Sequence, residues 1–179
     1  MWLRDFFREH FPNCRTMMYG YNASLRSNSV HRILDYSRQL LSALEDVRKA
    51  DTESRRPLFF IGHSYGGILL AHTLVKAKFE TTGDNGPSDS LLKSTYGILF
   101  FGTPHRGMLV QNLLDAVEQS GHVQRKELLE EIQHKSKTLA AELVRFIDLC
   151  GGFKIYSFYE MDQTRRLVIV RLRNPEDVA

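Results

Sequence analysis

Ser64 is the residue whose sequence surroundings point most clearly to chemistry. It stands in the pentapeptide Gly62-His63-Ser64-Tyr65-Gly66, which has the G-x-S-x-G spacing of a nucleophile elbow. An apolar run at 58–61 precedes the motif, and an apolar helical pattern at 68–75 follows it. The motif therefore has the strand–turn–helix context that an elbow requires. The chemistry it predicts is nucleophilic attack by the serine hydroxyl.

Glycines flank such a serine because space is short. On so tight a turn the backbone is strained, and we expect a Cβ two residues to either side, at Gly62 or Gly66, to collide with the strand or the helix. The turn lifts the Ser64 hydroxyl clear of the sheet at a helix N-terminus. There backbone N–H groups, that of Tyr65 first, can stabilise a developing oxyanion. The structural alternative is a glycine-rich turn whose serine only caps the helix.

The hydrophobic pattern predicts the elements that position Ser64. Continuous apolar runs are typical of strands buried on both faces of a parallel sheet. Strands are predicted at 15–21, 58–61, 96–101, 153–159 and 167–170. Amphipathic helices are predicted at 1–10, 30–49 and 123–150, with a short one between 109 and 120. Strands that alternate with helices predict an α/β fold with a mostly parallel sheet.

Polar groups follow three of the predicted strands. Ser64 follows the first of them, residues 102–107 follow the second and Glu160 follows the third. Ligands of parallel sheets bind beyond the carboxyl ends of the strands. We therefore expect these three groups to contribute to a single site.

Composition limits the classes of function. A length of 179 residues fits one domain, and a net charge of +3 without a basic stripe disfavours nucleic acid as the partner. Cys14 and Cys150 have neither metal-ligand spacing nor a disulfide framework, which fits a reducing compartment. No apolar run has the length of a membrane span, and the charged N-terminus is not a signal peptide. No histidine pairs at metal-ligand spacing, so no metal and no cofactor are predicted.

Two motifs carry a resemblance to a known superfamily. FIGHSYGG at 60–67, followed by GILFFGTPHRG at 97–107, resembles the α/β-hydrolase superfamily. More narrowly, the chain is similar to the lipase-like domains related to the serine-active-site-containing protein, of the fungal type often fused to nucleotide-binding and repeat domains. The opening residues 2–23 and SFYE at 157–160 also look like segments of that family. The resemblance implies an α/β-hydrolase fold with helices on both faces of the sheet.

The resemblance assigns roles to individual residues. Ser64 matches the nucleophile, Tyr65 supplies the neighbouring backbone donor, and Glu160 matches the acid that orients a histidine, with Asp162 as the runner-up. A solvated charge at a strand end is the plain alternative for Glu160. The positions that support the motifs are Gly62, His63, Gly66, Gly67, Gly102, Thr103, Pro104 and His105. Residues 108–150 match a helical insertion whose apolar stripes either form a lid over an acyl-binding cleft or belong to the core.

Two departures from the family pattern stand out. The family's oxyanion loop, a His-Gly pair, should precede Trp2, and its catalytic histidine should follow the last strand, yet the last histidine is His134. We therefore expect a partial hydrolase domain, 1–179, that lacks the first strands and the C-terminal His segment. His105 is the substitute base to consider, although the family uses that Thr-Pro-His motif as a structural turn. His63 is expected to be a packed core residue.

Two functions follow from this reading. The first is a serine hydrolase that cleaves a lipid-like or small carboxylic ester, with low or no activity as a truncated fragment. The second is a non-catalytic hydrolase-fold module for interaction or regulation within a longer protein. The predicted location is intracellular and cytoplasmic, while the resemblance adds mitochondrion or endoplasmic reticulum and leaves peripheral membrane contact open.

Overall fold

The computed structural model of the chain describes residues 7–25, 29–80 and 86–159, and the statements below concern these residues. The helices are α1 (Arg8–His10), α2 (Ile33–Val47), α3 (Asp51–Ser54), α4 (Tyr65–Glu80), α5 (Pro87–Ser94), α6 (Gln111–Gln119), α7 (Lys126–Glu131) and α8 (Lys137–Leu149). The strands are β1 (Leu58–His63), β2 (Thr95–Phe101) and β3 (Lys154–Phe158). None of the described helices is long and apolar enough to cross a bilayer.

The three strands form one parallel sheet in the order β1-β2-β3. Ile61 of β1 lies opposite Leu99 of β2, which lies opposite Tyr156 of β3. The strands predicted at 58–61, 96–101 and 153–159 are thereby confirmed as parallel neighbours. The fold is α/β with a small open sheet, and the described part contains too few strands to establish an α/β-hydrolase fold.

Helix α4 forms the centre of the helical layer. It is apolar on nearly all sides, and Leu74 and Ala77 are completely buried. Its neighbours are α2, α5 and α8, and its contact with the sheet runs along β1. The side chains of Ile98 and Phe100 in β2 are buried on this side of the sheet with Leu74.

The opposite side of the sheet carries no helix among the described residues, so helices on both faces stay a prediction. Burial alternates along β1, where Leu58 is 6% exposed and its neighbour Phe59 is 60% exposed. A continuous apolar run was interpreted as burial on both faces, but only the residues directed toward α4 are covered. The uncovered side is called the open face here, and its apolar residues are Phe59, Ile61, Tyr96, Leu99, Phe101, Tyr156 and Phe158.

The helix predicted at 123–150 is interrupted. A 3-10 turn (Val123–Arg125) leads into α7, and α8 begins only at Lys137. Between them the backbone of Met108 donates to Ile132 O at 3.0 Å and accepts from His134 N at 2.8 Å. The Ser136 hydroxyl then caps α8 by accepting from Leu139 N at 3.3 Å. These bonds take up backbone groups that a continuous helix would have paired internally.

The apolar stripes of residues 108–150 lie largely in the core. One buried cluster joins α6, α7 and α8 to Ile33 of α2 and Ile68 of α4. Its members from this segment are Val110, Leu114, Val117, Leu129, Ile132 and Leu139. These side chains therefore form core contacts, and the lid that the resemblance suggested stays a prediction.

The strand predicted at 15–21 is not a strand. Residues 15–18 are exposed, and Tyr19 and Tyr21 pack on each other and toward Tyr36 of α2. The segment thus contacts the helical layer, where it has no strand edge to pair with. Of the helix predicted at 1–10, residues 7–10 are described and form the short helix α1 (Arg8–His10), and the strand predicted at 167–170 lies outside the described residues.

Candidate active site

Ser64 is the single residue between β1 and α4. Its φ angle is +51°, in the left-handed region that non-glycine residues rarely adopt. Its N–H donates to Phe101 O of the neighbouring strand at 2.9 Å, and its carbonyl accepts from Gly67 N at 3.0 Å. A left-handed conformation costs an L-residue roughly 1–2 kcal/mol. A strained serine at a sharp strand-to-helix turn has the geometry of a nucleophile elbow.

Close packing explains two of the glycines around Ser64. A Cβ on Gly62 would lie 2.7 Å from the Cα of Gly67, and a Cβ on Gly67 would lie 2.0 Å from Oγ1 of Thr103. Gly66 is less restricted, because a Cβ there would meet only the Tyr21 side chain, with the hydroxyl at 3.3 Å and Cε1 at 4.0 Å. The sequence predicted that a Cβ would collide at Gly66, two residues after the serine. The structure places that collision one residue later, at Gly67.

Tyr65 is the first residue of α4. Its backbone N–H lies at the N-terminus of the helix, whereas its side chain packs in the helical layer. The first N–H groups of an α-helix have no acceptor within the helix and carry partial positive charge. The Tyr65 ring turns into the helical layer, 5.5 Å from the Tyr21 ring, and its buried hydroxyl has no hydrogen-bond partner among the described residues. Burial, and next the charge of Glu131, raises the pKa of Tyr65 well above its ordinary value. The phenol is therefore a neutral packing group.

The loop after β2 packs beneath the elbow. Gly102 has a φ of +54°, and its N–H donates to Phe158 O at 2.8 Å. Thr103 contacts Gly67 as described above. The His105 ring lies edge-on to Phe100 at 4.6 Å between centroids and stacks against Phe146 of α8 at 6.4 Å. Burial lowers the pKa of His105. Its ring thus contacts the aromatic core on the helical side of the sheet.

The other histidines are distributed differently from the prediction. His63 is exposed beside Ser64, at the end of β1 on the open face, and is not the packed core residue that we expected. Burial alternates along β1, where Gly62 is buried and His63 is exposed, so the His63 side chain points to the uncovered side. His72 is only 8% exposed, its Nε2 has no partner among the described residues, and burial lowers its pKa. Among the described residues, the hydrogen bonds of Ser64 involve its backbone.

The candidate acids Glu160 and Asp162 lie outside the described residues. The described end of β3 nevertheless indicates where the chain leaves the sheet. Phe158 lies opposite Phe101, which lies opposite His63, so the three strands end level with one another. The chain therefore continues from Tyr159 at the same edge of the sheet as Ser64.

Arg125 is a structural residue near the site that the sequence did not indicate. It is completely buried, and its guanidinium donates to Ser24 O at 2.9 Å and also to Asn22 O and His31 O. The Tyr36 hydroxyl donates a second hydrogen bond to Asn22 O, at 2.7 Å. These bonds hold the loop that follows Tyr21, whose hydroxyl lies against Gly66 of the elbow. The sequence could not predict this role, because the carbonyls that accept from Arg125 belong to residues about a hundred positions earlier in the chain.

Neither of two cavities among the described residues is lined by Ser64. The smaller, about 10 Å³, lies between α4 and α8 beside His72 and His105. The larger, about 290 Å³, lies at the amino ends of the strands, beside Thr95 and Lys154 and away from the elbow. Within residues 7–25, 29–80 and 86–159, no group of three His, Cys, Asp or Glu side chains is arranged to hold a metal ion.

Comparison with known proteins finds two significant relatives. Protein SERAC1 of Danio rerio is 28% identical over 114 residues, and Protein SERAC1 of Mus musculus is 28% identical over 112 residues. Each alignment covers 59% of this chain and 16% of the relative, so the chain spans about a sixth of their length. No protein-family model and no solved structure matches the chain significantly. The similarity loosely supports a hydrolase-like family and does not bear on a fungal type.

Proposed function

We propose that the chain carries the nucleophile half of a serine ester hydrolase site, with Ser64 as the nucleophile. The observation that carries this proposal is the left-handed φ of +51° at the only residue between β1 and α4. A serine that merely caps a helix has extended backbone torsions at that position. The close contacts of Gly62 and Gly67 support the same interpretation, because they let strand and helix approach closely enough to present the hydroxyl.

The proposed reaction proceeds through an acyl-enzyme. The Ser64 oxygen attacks the carbonyl carbon of a carboxylic ester while its proton passes to a base, and the carbonyl oxygen becomes an oxyanion. The Tyr65 N–H, at the N-terminus of α4, donates to that oxyanion. The alcohol then leaves with a proton, and water hydrolyses the acyl-serine by the reverse sequence of transfers. A lipid-like or small ester is the substrate class that the family resemblance supplies.

Glu160 is proposed as the acid that orients and stabilises the base, with Asp162 as its runner-up. The support is the level ending of β1, β2 and β3, because it directs the chain after Tyr159 toward the edge where Ser64 lies. The base is the part of the mechanism that the described residues leave open. The sequence contains no histidine after His134, and the His105 ring contacts Phe100 and Phe146.

We therefore propose that residues 1–179 alone hydrolyse esters poorly. Removal of the histidine from a serine triad lowers turnover by roughly 10⁶-fold, nearly as much as removal of all three members. A second oxyanion donor contributes on the order of 10²–10³ where it is present. These losses do not multiply in full, because little triad function remains once the base is gone.

A non-catalytic role is the second candidate, and one observation favours it. The hydrogen bonds of Ser64 to described residues involve only its backbone, so the hydroxyl is not engaged by a base there. A hydrolase-fold module of a longer protein, with further domains fused to it, would retain the elbow for packing.

Hydrolysis of a short-chain p-nitrophenyl ester by residues 1–179 and by Ser64→Ala distinguishes the candidates. A slow rate that falls to the buffer rate in Ser64→Ala supports the nucleophile role. Equal rates for both proteins support the non-catalytic module. Turnover far above Ser64→Ala would instead show that a base acts within this chain, and His105→Phe would then test the half-buried histidine nearest the elbow loop.

A further inference from the structure

The first turn of α4 lies between two parts of the chain that are distant in sequence. On one side, Thr103 of the loop after β2 packs so closely against Gly67 that no side chain fits there. On the other side lies Tyr21, whose hydroxyl is 3.3 Å from the position that a Cβ of Gly66 would take. The Tyr21 ring also packs at 5.5 Å on the ring of Tyr65, the first residue of the helix. Tyr21 therefore packs against both residues that directly follow the elbow serine.

A buried network fixes the backbone next to Tyr21. Arg125 is completely buried, and its guanidinium donates to Ser24 O at 2.9 Å and to Asn22 O. The Tyr36 hydroxyl donates to Asn22 O at 2.7 Å, and the rings of Tyr21 and Tyr36 lie 5.6 Å apart. Hydrogen bonds from a guanidinium are strong, and its planar shape fixes their directions. The segment that carries Tyr21 is thereby held against the helical layer.

The Tyr21 hydroxyl is a neutral group beside the N-terminus of α4. Burial raises the pKa of Tyr21 above its ordinary value, and the neighbouring Tyr19 and Tyr36 raise it further. The phenol therefore keeps its proton at neutral pH. A neutral hydroxyl does not compete with an oxyanion for the partial positive charge of the helix N-terminus, as a carboxylate or a phenolate would.

The oxyanion contact depends on where the first turn of α4 lies. The Gly67 N–H donates to the Ser64 carbonyl at 3.0 Å, which leaves the N–H groups of Tyr65 and Gly66 for an acceptor outside the helix. Such donors contribute most when they are held in place before the reaction, within about 3 Å of the developing oxyanion. A misplacement of about 1 Å costs on the order of 100-fold in rate. Groups that fix this turn therefore affect the reaction without touching the substrate.

We propose that Tyr21 is a positioning residue of the Ser64 site, a proposal that rests on the nucleophile role proposed above. Its hydroxyl and ring hold the first turn of α4 at Gly66, opposite the contact with the loop after β2, so that the Tyr65 N–H is directed at the oxyanion. Gly66 has a matching function, because the absence of a side chain leaves room for the Tyr21 hydroxyl.

Fluorophosphonate labelling of Ser64 in the full chain tests the proposal, with the rate measured over a range of probe concentrations. Tyr21→Phe keeps the ring and removes the hydroxyl. We expect it to lower the maximal labelling rate about threefold to tenfold, while the half-saturating probe concentration changes less than about twofold. Tyr19→Phe is the matched control, the same substitution in a ring 6.1 Å from that of Tyr21, and should leave both values within about twofold.

Gly66→Ala tests the same contact from the side of the helix. Its Cβ displaces the Tyr21 hydroxyl, so this variant should slow the labelling of Ser64 by a factor similar to that of Tyr21→Phe. In the Tyr21→Phe background the nearest remaining ring atom, Cε1, lies 4.0 Å from that Cβ. Gly66→Ala should then cost less than about twofold, because substitutions at a shared contact are not additive.

The outcomes separate the positioning role from the nucleophile role. Equal labelling of Ser64 in the unsubstituted chain and in Tyr21→Phe overturns the positioning role alone. Effects of Tyr21→Phe and Gly66→Ala that multiply in the double variant also overturn it, as does a loss in Tyr19→Phe as large as that in Tyr21→Phe. An unsubstituted chain that is not labelled on Ser64 overturns the nucleophile role, and the positioning role with it. Circular dichroism of each variant shows that a lower rate belongs to folded protein.

Discussion

Gly67 of α4 and Thr103 of the loop after β2 are in such close contact that no side chain fits between them. A Cβ added to Gly67 would lie 2.0 Å from Oγ1, 2.6 Å from Cγ2 and 2.8 Å from Cβ of Thr103. This contact joins the first turn of the elbow helix to the second loop at the carboxyl edge of the sheet. The position of Ser64 therefore depends on a glycine three residues later in the chain.

Gly67→Ala should destabilise the protein by about 1–3 kcal/mol. Overpacking against Thr103 costs that amount in a close-packed region, and the better helix propensity of alanine offsets up to about 1 kcal/mol. Urea unfolding followed by circular dichroism measures the change. Gly20→Ala is the control, since a Cβ at Gly20 has no atom within 4 Å. A Gly67→Ala protein as stable as Gly20→Ala would contradict the close contact.

Ser64→Gly should stabilise the fold by about 1 kcal/mol, because glycine adopts a left-handed φ without steric cost. Ser64→Ala keeps the strain and should leave the free energy of unfolding nearly unchanged. Lys135, with a φ of +68° between α7 and α8, is the other described non-glycine residue with a positive φ. Lys135→Gly should therefore give a similar gain in chemical denaturation, without any effect on the site. A loss of stability in Ser64→Gly would be incompatible with the strained turn.

Arg125→Met should destabilise the protein by about 2–4 kcal/mol, since each hydrogen bond to a charged group contributes roughly 1.5–3 kcal/mol without adding in full. The carbonyls of Asn22, Ser24 and His31 would lose a buried donor. Arg125→Lys should recover only part of the loss, because an ammonium cannot match the planar fork. Thermal and urea unfolding measure both variants. The exposed Arg106 provides the control, and Arg106→Met should stay within about 0.5 kcal/mol.

Stability should decrease as the pH falls below about 6.5. Burial lowers the pKa values of His72 and His105 from the ordinary 6.5, so the unfolded chain binds protons there that the folded chain does not. The contribution of these two histidines to the free energy of unfolding is complete above pH 6.5. It is lost as the pH falls toward their lowered pKa values in the folded protein. One such proton changes the free energy of unfolding by at most about 1.4 kcal/mol per pH unit. His72→Leu should flatten the pH dependence of urea unfolding, whereas His134→Leu at an exposed position should not.

The turn at Ser64 could be predicted because its signals are local. An apolar run, the glycine spacing and a helical pattern lie within about twenty residues, and they fix a strand, a sharp turn and a helix. The parallel pairing of β1, β2 and β3 could be predicted because the three apolar runs alternate with predicted helices. The spacing could not show which glycine is the restricted one, because the atoms that restrict Gly67 belong to Thr103.

Features that depend on distant partners were missed. An apolar run such as that around Phe59 and Ile61 has the same composition whether one face of a sheet is covered or both. Residues 15–21 contain residues typical of strands, but a strand also requires a free edge to pair with, and this segment packs on Tyr36 instead. Arg125 binds the carbonyl of Ser24, which is 101 positions away. Such contacts are set by the fold and leave no local pattern.

Covalent labelling of Ser64 tests the central claim most directly. The full chain and Ser64→Ala are incubated with excess fluorophosphonate probe, and the modified serines are identified by mass spectrometry over a time course. We expect the adduct on Ser64 at least about tenfold faster than on exposed serines such as Ser42, because a helix N-terminal N–H stabilises the developing oxyanion even where the base is weak. Labelling of Ser64 no faster than that of Ser42, or a pattern unchanged in Ser64→Ala, would contradict its role as the nucleophile.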